Sequence, residues 1–85
     1  MPIRILYFAW LRERVGVGEE QVSPPPDVAS VAALRGFLMA RGAGHASALA
    51  EPGCVRAAVN QTFARPDTPV RDGDEVAFFP PVTGG

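Results

Sequence analysis

The residues best placed to do chemistry stand at the end of the sequence, in DEVAFFPPVTGG. An apolar strand runs into Pro80 and Pro81, passes Val82 and Thr83, and stops on Gly84 and Gly85. The two prolines cannot continue a strand ladder and favour an extended path. The segment beyond Phe79 reaches ~20 Å when extended. Gly84 and Gly85 carry no side chain, so they can pass through a channel that rejects a Cβ. A terminal carboxylate has a reference pKa of about 3.5 and is ionised at neutral pH. On a stiff, unhindered arm it can enter another protein's active site and attack the α-phosphate of ATP. The acyl-adenylate so formed is then open to a nucleophile. A frayed end is the plain alternative, but the proline-stiffened arm after an apolar strand favours a reactive tail.

The other chemically capable residues point elsewhere. Cys54 is the single cysteine, which excludes a disulfide framework, a zinc cluster and a four-cysteine iron–sulfur site. It reads as a small buried strand residue rather than a second sulfur acceptor. His45 sits among glycines and alanines with no second ligand and reads as a surface-loop histidine. Asp72-Gly73-Asp74 reads as a turn before a strand rather than a metal loop. Arg12 and Glu13 read as solvated charges, and Trp10 either anchors a partner or closes the end of the core. No metal site, no nucleophile–base pair and no phosphate-cradling glycine loop is expected, so the chain is not an enzyme on its own.

Composition sets the scale. The 85 residues make one small domain with room for one sheet and one helix but hardly for a deep substrate cleft. A net charge of −1 gives no electrostatic case for nucleic acid or an anionic membrane. Every basic residue is arginine, which rules out a catalytic lysine, a Schiff base and a lysine acceptor within the chain. One unpaired thiol, no leader and no apolar run of ~20 residues lead us to expect a cytoplasmic protein.

The elements that must position the tail follow from pattern. Ile3–Trp10, rich in β-branched and aromatic residues, predicts a strand. LRERVGVG predicts a short helical turn, and EEQVS a second strand, antiparallel to the first, ended by Pro24–Pro26. Ser30 is an N-cap for VAALRGFLMAR, whose Val31, Leu34 and Leu38 form one apolar stripe widened by Phe37. Gly36 costs this helix about 1 kcal/mol against alanine, a cost that close packing on the sheet would offset. Gly42 is expected to supply a left-handed stop, and GHASALAE an irregular connector with about one helical turn. CVRAAVN predicts a strand, QTFA a short one after a turn, and EVAFF the last. The order is that of an α+β β-grasp, or ubiquitin-like, fold spanning residues 1–79, with residues 80–85 as an extended reactive tail.

Alternation assigns the two sheet faces. Ile3, Ile5, Tyr7, Val76 and Phe78 should lie under the helix. Arg4 and Glu75 mark the other face as outer, because a lone charge is costly to bury. Leu6, Phe8, Ala77 and Phe79 then face outward, with Phe63 beside them. An apolar patch of that kind usually marks a protein partner; loops folding back over it are the alternative.

At these residues the sequence resembles a known family, the sulfur-carrier small subunits of molybdopterin synthase. YFAWLRERVG, SVAALR and AAVNQ match its opening strand, helix start and middle strand, and DGDEVAFFPPVTGG matches its closing segment almost letter for letter. The resemblance implies a carrier cycle. A ubiquitin-activating-type adenylyltransferase activates Gly85 with ATP, and a sulfur donor enzyme converts it to a thiocarboxylate. The tail then inserts into the synthase large subunit, within a heterotetramer, and gives sulfur to cyclic pyranopterin monophosphate. Two transfers build the molybdopterin dithiolene. The resemblance also implies that this chain binds no cofactor, that Phe8, Phe63 and Phe79 touch the partner with Pro80, Pro81, Val82 and Thr83 alongside, and that Arg12 and Glu13 are either a partner salt bridge or solvated charges. Alternation adds Leu6 to that surface. A carrier for thiamine synthesis or tRNA thiolation shares the Gly-Gly end, as does a ubiquitin-like protein modifier.

Overall fold

The computed structural model describes residues 2–81. Strict alternation builds its first strand: in β1 (Ile3–Tyr7), Ile3, Ile5 and Tyr7 are buried while Arg4 is exposed. A short helix α1 (Trp10–Val15) follows and stops at Gly16, whose φ of 100° is the left-handed conformation that glycine adopts without strain. β2 (Glu19–Val22) runs back antiparallel to β1, with Ile3 opposite Val22 and Leu6 opposite Glu19.

Helix α2 (Val31–Met39) begins where Ser30 caps it: the Ala33 N–H donates to Ser30 Oγ at 3.2 Å, an interaction worth about 1 kcal/mol. Val31, Leu34 and Leu38 are buried and Phe37 is half-buried, as the stripe requires. Two glycine expectations need correction. Gly42 is not a left-handed stop; its φ of 170° is extended, and it leads directly into a third helix. A Cβ on Gly36 would meet nothing within 4 Å, so this glycine does not serve close packing on the sheet.

That third helix, α3 (Ala43–Leu49), replaces the expected connector. It buries Ala48 and Leu49 and packs on α1 so tightly that a Cβ on Gly44 would lie 2.5 Å from the Arg14 carbonyl oxygen. The close-approach glycine is therefore Gly44. α3 is tied to α2 by Arg35, whose Nε donates to the Leu49 carbonyl at 2.6 Å.

A 3-10 turn (Pro52–Cys54) leads to β3 (Arg56–Val59), which turns through Asn60 and Gln61 into β4 (Thr62–Ala64). Both turn residues have positive φ, 51° and 70°, the backbone that a two-residue hairpin needs. Asn60 also reaches β5 (Glu75–Phe79). Its N–H donates to the Glu75 carbonyl at 2.7 Å, its Oδ1 accepts from the Glu75 N–H at 3.0 Å, and its Nδ2 donates to Asp74 Oδ1 at 3.0 Å. The hairpin tip is thereby clamped to the start of the last strand.

Among the described residues one five-stranded sheet forms, in the order β2-β1-β5-β3-β4. β5 lies in the centre, parallel to β1 and antiparallel to β3. The first and last strands thus form the core ladder, with the helices on one face. This is the α+β β-grasp arrangement read from the order of elements.

Candidate functional site

The helix-free face divides into two halves. At the start of β1 and β5, Arg4 Nε pairs with Glu19 at 2.9 Å and Arg4 Nη1 with Glu75 at 3.5 Å. The Glu19 hydrogen bond, and then its charge, raise the Arg4 pKa further. These are exposed groups, and such pairs contribute little stability.

Further along the same strands the charges give way to carbon. Leu6 lies opposite Ala77, Ala77 opposite Ala58, and Ala58 opposite Phe63, in one row across four strands. Phe79 lies beside it, with its ring centroid 5.9 Å from that of Phe63. Phe8 follows Leu6 on the outer side, and its N–H donates to the Phe78 carbonyl at 3.1 Å. Phe63 is 79% exposed and Phe8 48%. Loops do not fold back over these two rings. Water on so much aromatic surface is unfavourable, at roughly 25 cal/mol per Å², which is why such patches are usually covered by a partner.

The geometry at Phe8 is held by a strained neighbour. Ala9 has φ 56° and ψ −134°, a region that costs a residue with a Cβ ~1–3 kcal/mol. The strain is offset where the chain turns from β1 into α1: the Leu11 and Arg12 N–H groups donate to the carbonyls of Phe8 and Ala9 at 3.2 and 3.1 Å. Trp10 is half-buried against the core, and the Arg14 guanidinium sits 4.7 Å from its ring centroid.

The remaining predicted site residues lie at the exit of β5. Pro80 and Pro81 are half-buried and follow Phe79 directly. Val82, Thr83, Gly84 and Gly85 lie outside the described residues. The structure therefore sets Leu6, Phe8, Phe63 and Phe79 on the helix-free face, with Phe63 and Phe79 in contact and Pro80 and Pro81 following at the exit of β5.

Two candidate residues require correction. Cys54 is not a buried strand residue; it is exposed on the 3-10 turn. Its Sγ donates to Glu51 Oε2 at 3.5 Å, and that hydrogen bond holds the thiol above its ordinary pKa, the opposite of what a nucleophilic thiolate needs. His45 is not a loop residue; it lies on α3 with Nε2 2.7 Å from Glu20 Oε2. The same oxygen accepts from the Tyr7 hydroxyl at 2.6 Å, and Arg41 approaches Glu20 Oε1 at 3.5 Å. Burial alone would raise the Glu20 pKa, but the hydrogen bonds from Tyr7 and His45 outweigh it and hold the carboxyl below its usual range. An ionised carboxylate only accepts, so His45 Nε2 carries the shared hydrogen. Burial, and then the bond to Glu20, push the Tyr7 phenol far upward. Sequence reading missed this network because its members are distant in the chain.

Asp72-Gly73-Asp74 is a turn, with Gly73 at φ 88° and Asp74 Oδ2 accepting from the Arg71 N–H at 2.8 Å. Among the described residues no cluster of three metal-ligating side chains forms, and no helix is long and apolar enough to cross a membrane.

The ThiS family pattern matches residues 5–85. The chain is 51% identical to the molybdopterin synthase sulfur carrier subunit of Escherichia coli (strain K12), over 98% of this chain and 99% of that one. It superposes on SAMP1 from Haloferax volcanii with a TM-score of 0.75 at 26% identity, covering 100% of both chains. It also superposes on a chain of the complex of subunits 1 and 2 of molybdopterin-converting factor from Helicobacter pylori 26695. There the TM-score is 0.65 at 22% identity, again over 100% of both chains, a likeness of fold.

Proposed function

The chain belongs to the ThiS family, and from that premise we propose that it is the sulfur-carrier subunit of a molybdopterin synthase. The observation that carries this reading is the course of β5. It sets Phe79 beside Phe63 on an exposed aromatic patch and releases the chain through Pro80 and Pro81 toward the Gly-Gly end. A docking surface and a reactive terminus then share one strand, so seating the patch fixes where the terminus arrives.

The chemistry divides between partners. In the active site of a ubiquitin-activating-type adenylyltransferase, the Gly85 carboxylate attacks the α-phosphate of ATP and expels pyrophosphate. A sulfur donor enzyme supplies sulfur at the acyl carbon, AMP leaves, and a thiocarboxylate remains. On the synthase large subunit the thiocarboxylate sulfur passes to cyclic pyranopterin monophosphate, and two such deliveries complete the dithiolene. Sulfur is the softer and better nucleophile, and tethering it to a protein keeps sulfide out of bulk water. The chain itself is non-catalytic and binds no cofactor; ATP belongs to the activating enzyme. Its role is positional: Phe8, Phe63 and Phe79, with Leu6 beneath, dock, while Pro80 to Thr83 span and Gly84 threads the reacting end inward.

Intact-mass measurement after incubation with the activating enzyme, ATP and a sulfur donor tests the reading. Replacement of one oxygen by sulfur at the terminus is expected; an unchanged mass overturns it. The likeness to SAMP1, whose full name is small archaeal modifier protein 1, favours a second reading as a protein modifier. Immunoblots of cell extracts separate the two, since a modifier gives higher-mass conjugates and a carrier a single free band.

A further inference from the structure

We propose that the groove between α2 and the β3–β4 hairpin receives an acidic, extended segment of the synthase large subunit, held by Arg35, Arg56 and Arg65. The groove measures about 130 Å³; Val31, Ala57 and Phe78 reach its floor, and the three arginines stand around it with no acidic residue in its lining. This concentration of one sign stands out in a chain whose net charge is −1. The ion pairs among the described residues engage Arg4, Arg41 and His45; none engages Arg56 or Arg65, and both are exposed. Arg35 is pre-positioned: its Nε is fixed on the Leu49 carbonyl at 2.6 Å, while its two NH₂ groups have no hydrogen-bond partner among the described residues. A planar guanidinium held at one nitrogen presents the others to a carboxylate at little cost in side-chain freedom.

Continuity selects a protein segment. A second depression, lined by Phe63 and Phe79, shares Arg56, Ala57 and Ala64 with the first. Together they make one surface that leaves the aromatic patch, rounds β4 and ends against α2. β4 is the last strand of the sheet, so its outer side has no strand neighbour among the described residues. A chain seated on the patch can continue along this path, placing carboxylates on the arginines and small apolar side chains toward the floor. The inference rests on the carrier reading and adds an electrostatic arm to its docking surface.

The test measures binding of the full chain to the large subunit, at low and at high ionic strength, for wild type, Arg56→Glu/Arg65→Glu and Arg56→Lys/Arg65→Lys. Charge reversal at an interface rim acts mainly on association rate and is screened by salt. We expect the glutamate pair to bind about tenfold more weakly at low salt, with the difference shrinking at high salt, and the lysine pair to stay near wild type. Equal affinity of the glutamate pair and wild type at low salt overturns the inference, as does a loss of affinity that salt leaves unchanged. Phe63→Ala, run in parallel, separates the two levels: if it too leaves affinity unchanged, the docking surface itself is misplaced. Melting curves of the variants check that exposed arginines can be replaced without unfolding the chain.

Discussion

Phe78 and Phe79 are neighbours in sequence and occupy opposite environments. Phe78 is 1% exposed and stacks on Tyr7 at 6.3 Å between ring centroids, while Phe79 meets Phe63 at 5.9 Å on the outer face. One peptide bond separates the residue that holds the fold from the residue that presents it.

Replacing each by alanine should therefore separate stability from binding. Phe78→Ala removes a fully packed ring and should cost about 3–5 kcal/mol of unfolding free energy. Phe79→Ala should cost much less stability but weaken binding to the large subunit by about 1–3 kcal/mol. Urea denaturation of the free variants, paired with calorimetric titration, checks both. Equal destabilisation by the two changes would contradict the face assignment.

Two glycines should respond to alanine in opposite ways. At Gly36 the added methyl meets open space, and Gly36→Ala should stabilise by up to about 1 kcal/mol through helix propensity. At Gly44 it would lie 2.5 Å from the Arg14 carbonyl oxygen, so α1 and α3 must separate, at a cost of about 1–3 kcal/mol. Denaturation midpoints at constant m-value report the two signs.

Glu20 makes stability depend on acidity. Its folded pKa lies below the ordinary 4.5, so its contribution is complete above that value and is lost as pH falls through the folded pKa. Glu20→Gln should lower stability at neutral pH by about 1.5–3 kcal/mol, the range for hydrogen bonds to a charged group, and flatten the acid limb of the stability profile. A variant whose acid limb still parallels wild type would show that other carboxylates set it.

The terminus should tolerate no change of reach. Deleting Gly85, or adding one residue after it, should abolish sulfur transfer and leave the melting curve intact. A misplacement of ~1 Å can cost about a hundredfold in rate, and one residue adds roughly 3.3 Å. Gly84→Ala should keep normal docking but slow adenylation or transfer, because a Cβ narrows the fit around the reacting carbonyl. Single-turnover rates beside binding affinities check this; transfer by an untrimmed one-residue extension would exclude the carrier role.

The sheet was legible because its strands are short, alternating and strongly apolar, and because Arg4 and Glu75 label one face as wet. The same alternation places Phe8 and Phe79 outward, as the β1–β5 ladder does. α3 was not legible: AGHASAL offers only Ala48 and Leu49 to the core, too few for a helical stripe. Packing against α1 and the Arg35 bond to Leu49 supply what local pattern lacks. His45 looked solitary because its partner, Glu20, is 25 positions away. Cys54 resembles a strand residue because its neighbours are those of a strand that begins only at Arg56. No residue-type signal marks the strain at Ala9, which arises from joining β1 to α1 in one step.

The parallel pairing of β1 with β5 joins positions 71 apart in sequence, as at Arg4 and Glu75. Contacts so distant are slow to form, because loop closure must precede any reward from them. β1 therefore waits for its central neighbour, 71 positions further along the chain. Phe8, Phe63 and Phe79 come from three separate stretches of chain, so the aromatic surface exists only once that late ladder has closed. Without β5 the sheet would lose the neighbour shared by β1 and β3, and the surface would lose Phe79 with it. Assembly of the sheet is thus the condition for the aromatic surface, whose rings share one face only in the folded molecule.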